Sequence, residues 1–144
     1  MWENRRVVLA KRYIRAVWGG DPATAGSLMG EAIAFVDSAG GRIEGFDDCS
    51  KATRAFAALE PHCRVTISEA FERGDAVFLR VELAAADPRI NGPYLLSLKI
   101  VDGKVDEWQT HRHDRMPFAR ELRRAMAAQQ QAGNDRIDSR PVLR

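Results

Sequence analysis

The chain has 144 residues, enough for one well-cored domain and too few for two ordinary ones. Its composition, 45% hydrophobic and 29% charged, is that of a globular protein, and its net charge of +2 is too balanced to indicate nucleic acid or an anionic membrane as a partner. No run approaches the roughly 20 apolar residues of a membrane helix, and the N-terminus lacks the apolar segment of a secretory signal. We therefore expect a cytoplasmic protein.

The first part of the chain predicts three helices and one strand. Apolar residues at helical spacing indicate a first helix, which stops at Gly19-Gly20. Asp21 then offers a side-chain acceptor to the next helix, and Pro22 fits its first position, where no donor is needed. We place the first two helices at residues 3–18 and 22–30, and a third helix between its cap, Asp47 or Asp48, and Pro61, which closes it. The strand lies at residues 32–36, followed by a loop at residues 37–41.

Beyond the third helix the periodicity changes from helical to alternating, which predicts strands. Asp102-Gly103 is a strong hairpin signal. Pro117 opens a last helix that carries Phe118, Leu122 and Met126 at positions i, i+4 and i+8. We place the strands at residues 63–71, 77–84, 94–101 and 104–113, and the helix at residues 117–128.

Three helices followed by a four-stranded meander define an α+β fold. A curved antiparallel sheet is expected to wrap around the three N-terminal helices, with an extra helix at the C-terminus. We expect residues 1–128 to form a single domain. Residues 129–144 mix Gln, Gly, Asn, Asp, Ser and Pro, and this composition predicts a flexible tail.

Four short phrases carry a resemblance to a known superfamily. They are R-Y-I-R-A-V-W-G-G-D, F-V-D-S-A-G-G, G-F-D-D and D-G-K-V-D-E-W. In this order and spacing they resemble the nuclear transport factor two-like superfamily, which includes SnoaL-like polyketide cyclases, limonene-epoxide hydrolases and ketosteroid isomerases. The resemblance covers roughly residues 5–114. It implies a cone-shaped barrel whose cavity takes a small hydrophobic molecule without a cofactor, and a homodimer through the outer sheet face.

Within the superfamily, the front half looks most like a ketosteroid isomerase. Those enzymes carry a first-helix tyrosine that donates to the substrate oxyanion, and an aspartate after the first strand that shuttles the proton. Tyr13 and Asp37 fall at the matching places. The resemblance therefore implies a SnoaL-like or isomerase-like enzyme, with Asp37 as acid/base and Tyr13 as hydrogen-bond donor to a carbonyl-bearing or polycyclic substrate.

A second hypothesis is a non-catalytic module that binds a ligand or another protein. The isomerases use a protonated aspartic acid on a late strand as a second donor, whereas residues 94–99 contain no carboxylic acid and offer Ser97. Asp37 is equally consistent with an ordinary turn aspartate, and Tyr13 with a core residue.

A third hypothesis is an epoxide hydrolase. Those enzymes use an Arg-x-Asp pair on one strand and an Asp at the end of the last long strand. Arg80-Val81-Glu82 is similar to the pair, with Glu for Asp, while His113 takes the final position and Asp114 follows it. Arg80 and Glu82 contact a substrate only if the polar parity of their strand faces the cavity; otherwise they form an exposed ion pair.

The last strand carries two histidines of one parity, His111 and His113. If that face lines the cavity, His113 is an auxiliary catalytic group and His111 contacts the substrate; if not, both belong to a solvent-facing stripe. No third ligand accompanies them, and Cys49 and Cys63 have no metal spacing, so we expect no metal site.

Several aromatic side chains are candidates for the wall of the pocket and for substrate contact. Packing alone also accounts for aromatic residues at this density. The candidates are Trp18, Phe35, Phe56 and Trp108.

Overall fold

Helices pack on one face of a curved sheet in the computed structural model, which describes residues 4–138 and, of these, the side chains of residues 4–133. The helices are α1 (Arg5–Trp18), α2 (Pro22–Ser27), α3 (Phe46–Leu59) and α4 (Phe118–Asp138). The strands are β1 (Met29–Val36), β2 (Arg42–Glu44), β3 (Arg64–Arg73), β4 (Ala76–Ala84), β5 (Gly92–Val101) and β6 (Lys104–His111). In the described part of the chain, no helix has the length and apolar character needed to cross a membrane.

The strands form one curved sheet in the order β2-β1-β6-β5-β4-β3. Strands β3 to β6 pair antiparallel as consecutive neighbours, which confirms the predicted meander and the α+β fold. Strand β1 pairs with β6 in parallel, so the sheet is mixed where a wholly antiparallel one was expected. Parallel neighbours need a long crossover, which α3 and the first three meander strands supply. Because β2 and β3 end the sheet, the cone is open rather than closed into a barrel.

Local signals place the start of α2 correctly and that of α3 incorrectly. Asp21 accepts a hydrogen bond from the Thr24 N–H at 3.2 Å, and Pro22 begins the helix, both as predicted. Helix α3 begins before its predicted caps, so Asp47 and Asp48 lie in its first turn. Their carboxylates stabilise the helix there through its dipole rather than through a cap.

A β-bulge changes the face on which the end of β3 lies. The register shifts between Ile67 and Glu69, so Phe71 does not follow Ile67 towards the interior. It stacks instead on Phe78 at the outer face, with ring centroids 5.3 Å apart. Alternation alone would put Phe71 on the same face as Ile67, but a single extra residue reverses the parity of everything after it.

The C-terminal helix extends past its predicted end near residue 128. Helix α4 continues to Asp138, and the three glutamines and Ala132 that begin this stretch favour helix. Residues 129–138, predicted as flexible tail, are therefore helical, and residues 139–144 lie outside the described part of the chain.

The hydrophobic core lies between the inner face of the sheet and the helices. Inner residues of β4, such as Leu79 and Leu83, pack in it with Ile14 of α1 and Phe56 of α3. Helix α4 contributes Phe118 to the same core. The open end of the cone is thus covered by the last helix of the fold.

Candidate ligand-binding site

A small aromatic cavity lies between the sheet and the helices. Its volume is about 20 Å³, room for roughly one water molecule. Most of its wall is apolar or aromatic, and it includes Tyr13 together with the four aromatic residues singled out from the sequence: Trp18, Phe35, Phe56 and Trp108. Their contact with a substrate stays a prediction.

Trp108 of β6 is the centre of the aromatic wall. Its ring lies 4.5 Å from that of Phe35, 5.6 Å from that of Tyr13 and 5.7 Å from that of Trp18, measured between centroids. Phe35 and Trp108 are direct partners in the parallel β1–β6 register, which explains the short distance between them. The parallel edge of the sheet thus brings α1, β1 and β6 together at one point.

Two hydrogen-bond donors in this wall have no partner among the described residues, the Tyr13 hydroxyl and the Trp108 indole N–H. Both side chains are buried. Burial raises the pKa of Tyr13 well above its ordinary value, the nearby Cys49 adds to this, and the Trp108 indole opposes it. The Trp108 indole lies close enough to the Tyr13 hydroxyl to affect its pKa, although the two groups lack the geometry of a hydrogen bond. Tyr13 therefore stays protonated and able to donate.

Asp37 is buried between the loop after β1 and the first turn of α4, and its carboxylate accepts hydrogen bonds from backbone N–H groups. Oδ1 accepts from Ala39 at 2.9 Å and from Gly41 at 2.8 Å, and Oδ2 accepts from Ala119 at 2.7 Å. The carboxylate thus shapes the loop after β1 and caps the first turn of α4. Asp37 is not part of the cavity wall, so its predicted acid/base role stays a prediction.

Arg80 and Glu82 lie on the outer face of the sheet and do not line the aromatic cavity, so their contact with a substrate stays a prediction. The inner parity of β4 is occupied by buried apolar residues, including Leu79 and Val81. Arg80 forms an exposed ion pair with Glu69 at 2.9 Å. Such a pair contributes little to stability.

His111 and His113 are also outside the cavity. His111 Nε2 lies 3.1 Å from Ser97 Oγ, and partial burial lowers the pKa of this histidine, so it is neutral near pH 7. His113 is exposed beyond the end of β6. The two histidines instead line a surface groove together with Arg80 and Glu82. Their predicted roles towards a substrate stay predictions. No three His, Cys, Asp or Glu side chains of residues 4–133 are grouped to hold a metal ion.

Sequence reasoning missed the contribution of α4 to the site. Phe118 and Leu122 line the cavity, and the Phe118 ring stacks on Trp18 at 6.0 Å between centroids. The available signal was the apolar stripe of the last helix. It indicated an amphipathic helix without indicating where that helix docks.

Helix α3 also supplies residues that the sequence did not reveal as part of the site. Cys49 lines the cavity, and its Sγ donates to the Ile43 carbonyl at 3.4 Å. Burial raises the pKa of this thiol to about 11, so it is not an activated nucleophile. Thr53 donates to the Cys49 carbonyl at 2.8 Å, which leaves its oxygen as an acceptor in the wall.

The open α+β cone and the match to a known domain family place this protein in the nuclear transport factor two-like superfamily. Residues 10–108, more than half of the chain, match the SnoaL-like domain, and the chain belongs to that family. Helix α4 lies outside the matched region. The superfamily predicted from the sequence is therefore confirmed.

Solved structures of low sequence identity share the fold. A protein from Kribbella flavida is 22% identical, over 90% of this chain and 99% of the other, with a TM-score of 0.64. An LEH-like epoxide hydrolase from M. tuberculosis is 17% identical, over 89% and 96%, with a TM-score of 0.67. A protein with a ketosteroid isomerase-like fold from Catenulispora acidiphila, in complex with trimethylamine, is 18% identical, over 75% and 88%, with a TM-score of 0.59. No protein of curated function matches the chain in sequence.

Proposed function

We propose that this protein binds a small aromatic or polycyclic molecule in the cone between sheet and helices. An oxygen atom of the ligand accepts hydrogen bonds from the Tyr13 hydroxyl and the Trp108 indole N–H, while the aromatic wall packs on its rings. Sites for small molecules in proteins commonly have this character, an apolar lining with a few well-placed polar groups. The homodimer through the outer sheet face and the cytoplasmic location remain predictions.

The observation that carries the proposal is the pair of unpartnered donors in one cavity wall. A buried donor without an acceptor costs about 1–3 kcal/mol, and native proteins rarely leave such groups unpaired. A ligand oxygen between the two donors recovers that cost. A carbonyl or a phenol meets the requirement, because each presents an acceptor oxygen on an otherwise apolar body.

A second candidate function is isomerase-like catalysis with Asp37 as the base. One feature supports it: Asp37 lies two residues beyond Phe35 and so continues the inward-facing parity of β1 towards the cavity mouth. Its carboxylate already accepts hydrogen bonds from Ala39, Gly41 and Ala119, and this arrangement favours ligand binding without catalysis. Catalysis would require at least the Ala119 contact to open.

Tyr13→Phe tests the binding proposal, since it removes one donor and keeps the ring. We expect the free energy of unfolding to stay the same or to rise, because the hydroxyl makes no hydrogen bond with the described residues. We expect the affinity for equilenin, a phenolic steroid, to fall about tenfold through the loss of one hydrogen bond to the ligand. Tryptophan fluorescence measures the affinity, and urea unfolding measures the stability.

Tyr94→Phe is the matched control, because the Tyr94 hydroxyl both donates and accepts a hydrogen bond. It donates to the Ile90 carbonyl at 2.6 Å and accepts from Arg112 at 2.6 Å. We expect this substitution to cost about 1–3 kcal/mol of stability. If Tyr13→Phe were equally destabilising and left equilenin affinity unchanged, the Tyr13 hydroxyl would be structural and the proposal would fail.

A further inference from the structure

The cavity is too small for the ligand that its wall fits. Its volume is about 20 Å³, whereas pockets for small molecules span roughly 300–1,000 Å³. A ring that could approach the Tyr13 and Trp108 donors must therefore replace something that is already inside the cone. Phe118 of α4 is a large side chain that lines the same cavity as the two donors, and it comes from the last helix.

Phe118 occupies a slot built from aromatic rings of four different elements. Its centroid lies 6.0 Å from Trp18 of α1, 5.9 Å from Phe35 of β1, 5.9 Å from Phe56 of α3 and 6.5 Å from Tyr94 of β5. Stacked and edge-on contacts at these distances are those that an aromatic ligand would also make. The ring of Phe118 thus fills a site suited to a ring of the ligand.

Helix α4 is held at its start by buried apolar residues, and by a small number of polar contacts. Beyond the buried apolar residues of its first two turns, the Ala119 N–H donates to Asp37 Oδ2 at 2.7 Å. Glu121 and Arg89 form an ion pair at 3.4 Å in which the arginine is largely exposed, a type of pair that contributes little. The Arg123 guanidinium also donates to the Arg42 carbonyl. The remainder of the helix to residue 133 is mostly exposed.

We infer that α4 competes with the ligand for the cavity: Phe118 occupies the ring site of the ligand-free protein, and a fused-ring phenol or ketone enters when α4 swings out. This inference rests on the proposed function. The same movement breaks the Ala119–Asp37 hydrogen bond and frees Oδ2 of Asp37. Only molecules in which α4 has swung out bind the ligand, so the apparent affinity falls as the open fraction falls. Any change that loosens α4 therefore increases the affinity for the ligand.

Gly41→Ala loosens α4 without touching the cavity wall. A Cβ at this position would lie 2.8 Å from Asp37 Oδ2 and 3.1 Å from Ala119 Cβ, between the two partners of the contact. Gly26→Ala is the matched control, because a Cβ there meets no atom within 4 Å. Asp37→Asn is a second loosening variant, since an amide Nδ2 in the place of Oδ2 cannot accept from Ala119, while its Oδ1 still accepts from Ala39 and Gly41.

The experiment measures 2-naphthol affinity by tryptophan fluorescence and amide hydrogen exchange over residues 118–133, with and without 2-naphthol. We expect 2-naphthol to bind Gly41→Ala and Asp37→Asn about tenfold more tightly than wild type and Gly26→Ala. We also expect it to accelerate exchange in α4 of the wild type.

The outcomes separate this inference from the proposed function. If 2-naphthol binds all four proteins equally and leaves α4 exchange unchanged, the cavity binds ligands but α4 does not compete, and the inference is overturned. If the loosening variants show fast α4 exchange and still bind no 2-naphthol, the proposed function fails, and the inference fails with it. Tighter binding by Asp37→Asn alone would implicate the carboxylate itself and would also overturn the competition.

Discussion

Phe118→Ala is expected to lower the free energy of unfolding by about 3–5 kcal/mol, the cost of removing a large aromatic side chain from a packed core. The ring is 3% exposed and contacts Trp18, Phe35 and Phe56. Because these neighbours belong to separate elements, they can fill the vacated space only in part. Urea unfolding followed by circular dichroism measures the loss.

The variant should also gain a binding site of its own. Apolar cavities left by large-to-small substitutions stay dry and take up aromatic molecules, so indole is expected to raise the unfolding midpoint of Phe118→Ala more than that of the wild type. Phe46→Ala is the control, because Phe46 is 40% exposed at the start of α3; we expect a loss of about 1 kcal/mol or less. Equal losses in the two variants would contradict the central position of Phe118.

Asp37→Ala is expected to cost about 3 kcal/mol or more, because it leaves three backbone donors without their acceptor. The side chain is 2% exposed, and its hydrogen bonds join the loop after β1 to the first turn of α4. Asp37→Asn should cost less, since its Oδ1 can still serve two of the three donors. The graded loss is measured by urea unfolding.

Asp21→Ala provides the comparison for this prediction. Asp21 also caps a helix, but its carboxylate lies at the surface and accepts hydrogen bonds from one residue, Thr24. Its removal should cost about 1 kcal/mol, the usual value for an N-cap. An Asp37→Ala variant as stable as Asp21→Ala would show that the buried carboxylate does not hold α4 in place.

Much of the fold could be predicted because its signals are local. The cap and proline at Asp21 and Pro22, the hairpin at Asp102-Gly103 and the alternation in β4 each act within a few residues. In the hairpin, Asp102 and Gly103 both adopt positive φ, 51° and 73°, as the tight turn between right-twisted strands requires. Tyr13 lines the cavity because it lies on the buried face of α1.

The remaining features depend on contacts between distant parts of the chain. Alternation reveals that Arg80 and His111 oppose the apolar parity, but the side on which the helices pack decides that their face is the outer one. The local sequence Asp-Ser-Ala-Gly-Gly that begins at Asp37 does not distinguish a carboxylate that faces a substrate from one that caps α4. The partner that decides, Ala119, lies 82 residues away. The docking of α4 could not be predicted for the same reason.

The cavity wall comes from two separate parts of the chain, the matched domain at residues 10–108 and the helix that follows it. A cut in the segment at residues 112–117 that released α4 would not yield a smaller version of the same protein. It would open an aromatic bowl, including Trp18, Phe35 and Phe56, to water. Exposed apolar patches of this kind drive proteins to associate with one another. The last helix thus covers an aromatic surface through which molecules of the protein would be expected to associate if it were removed.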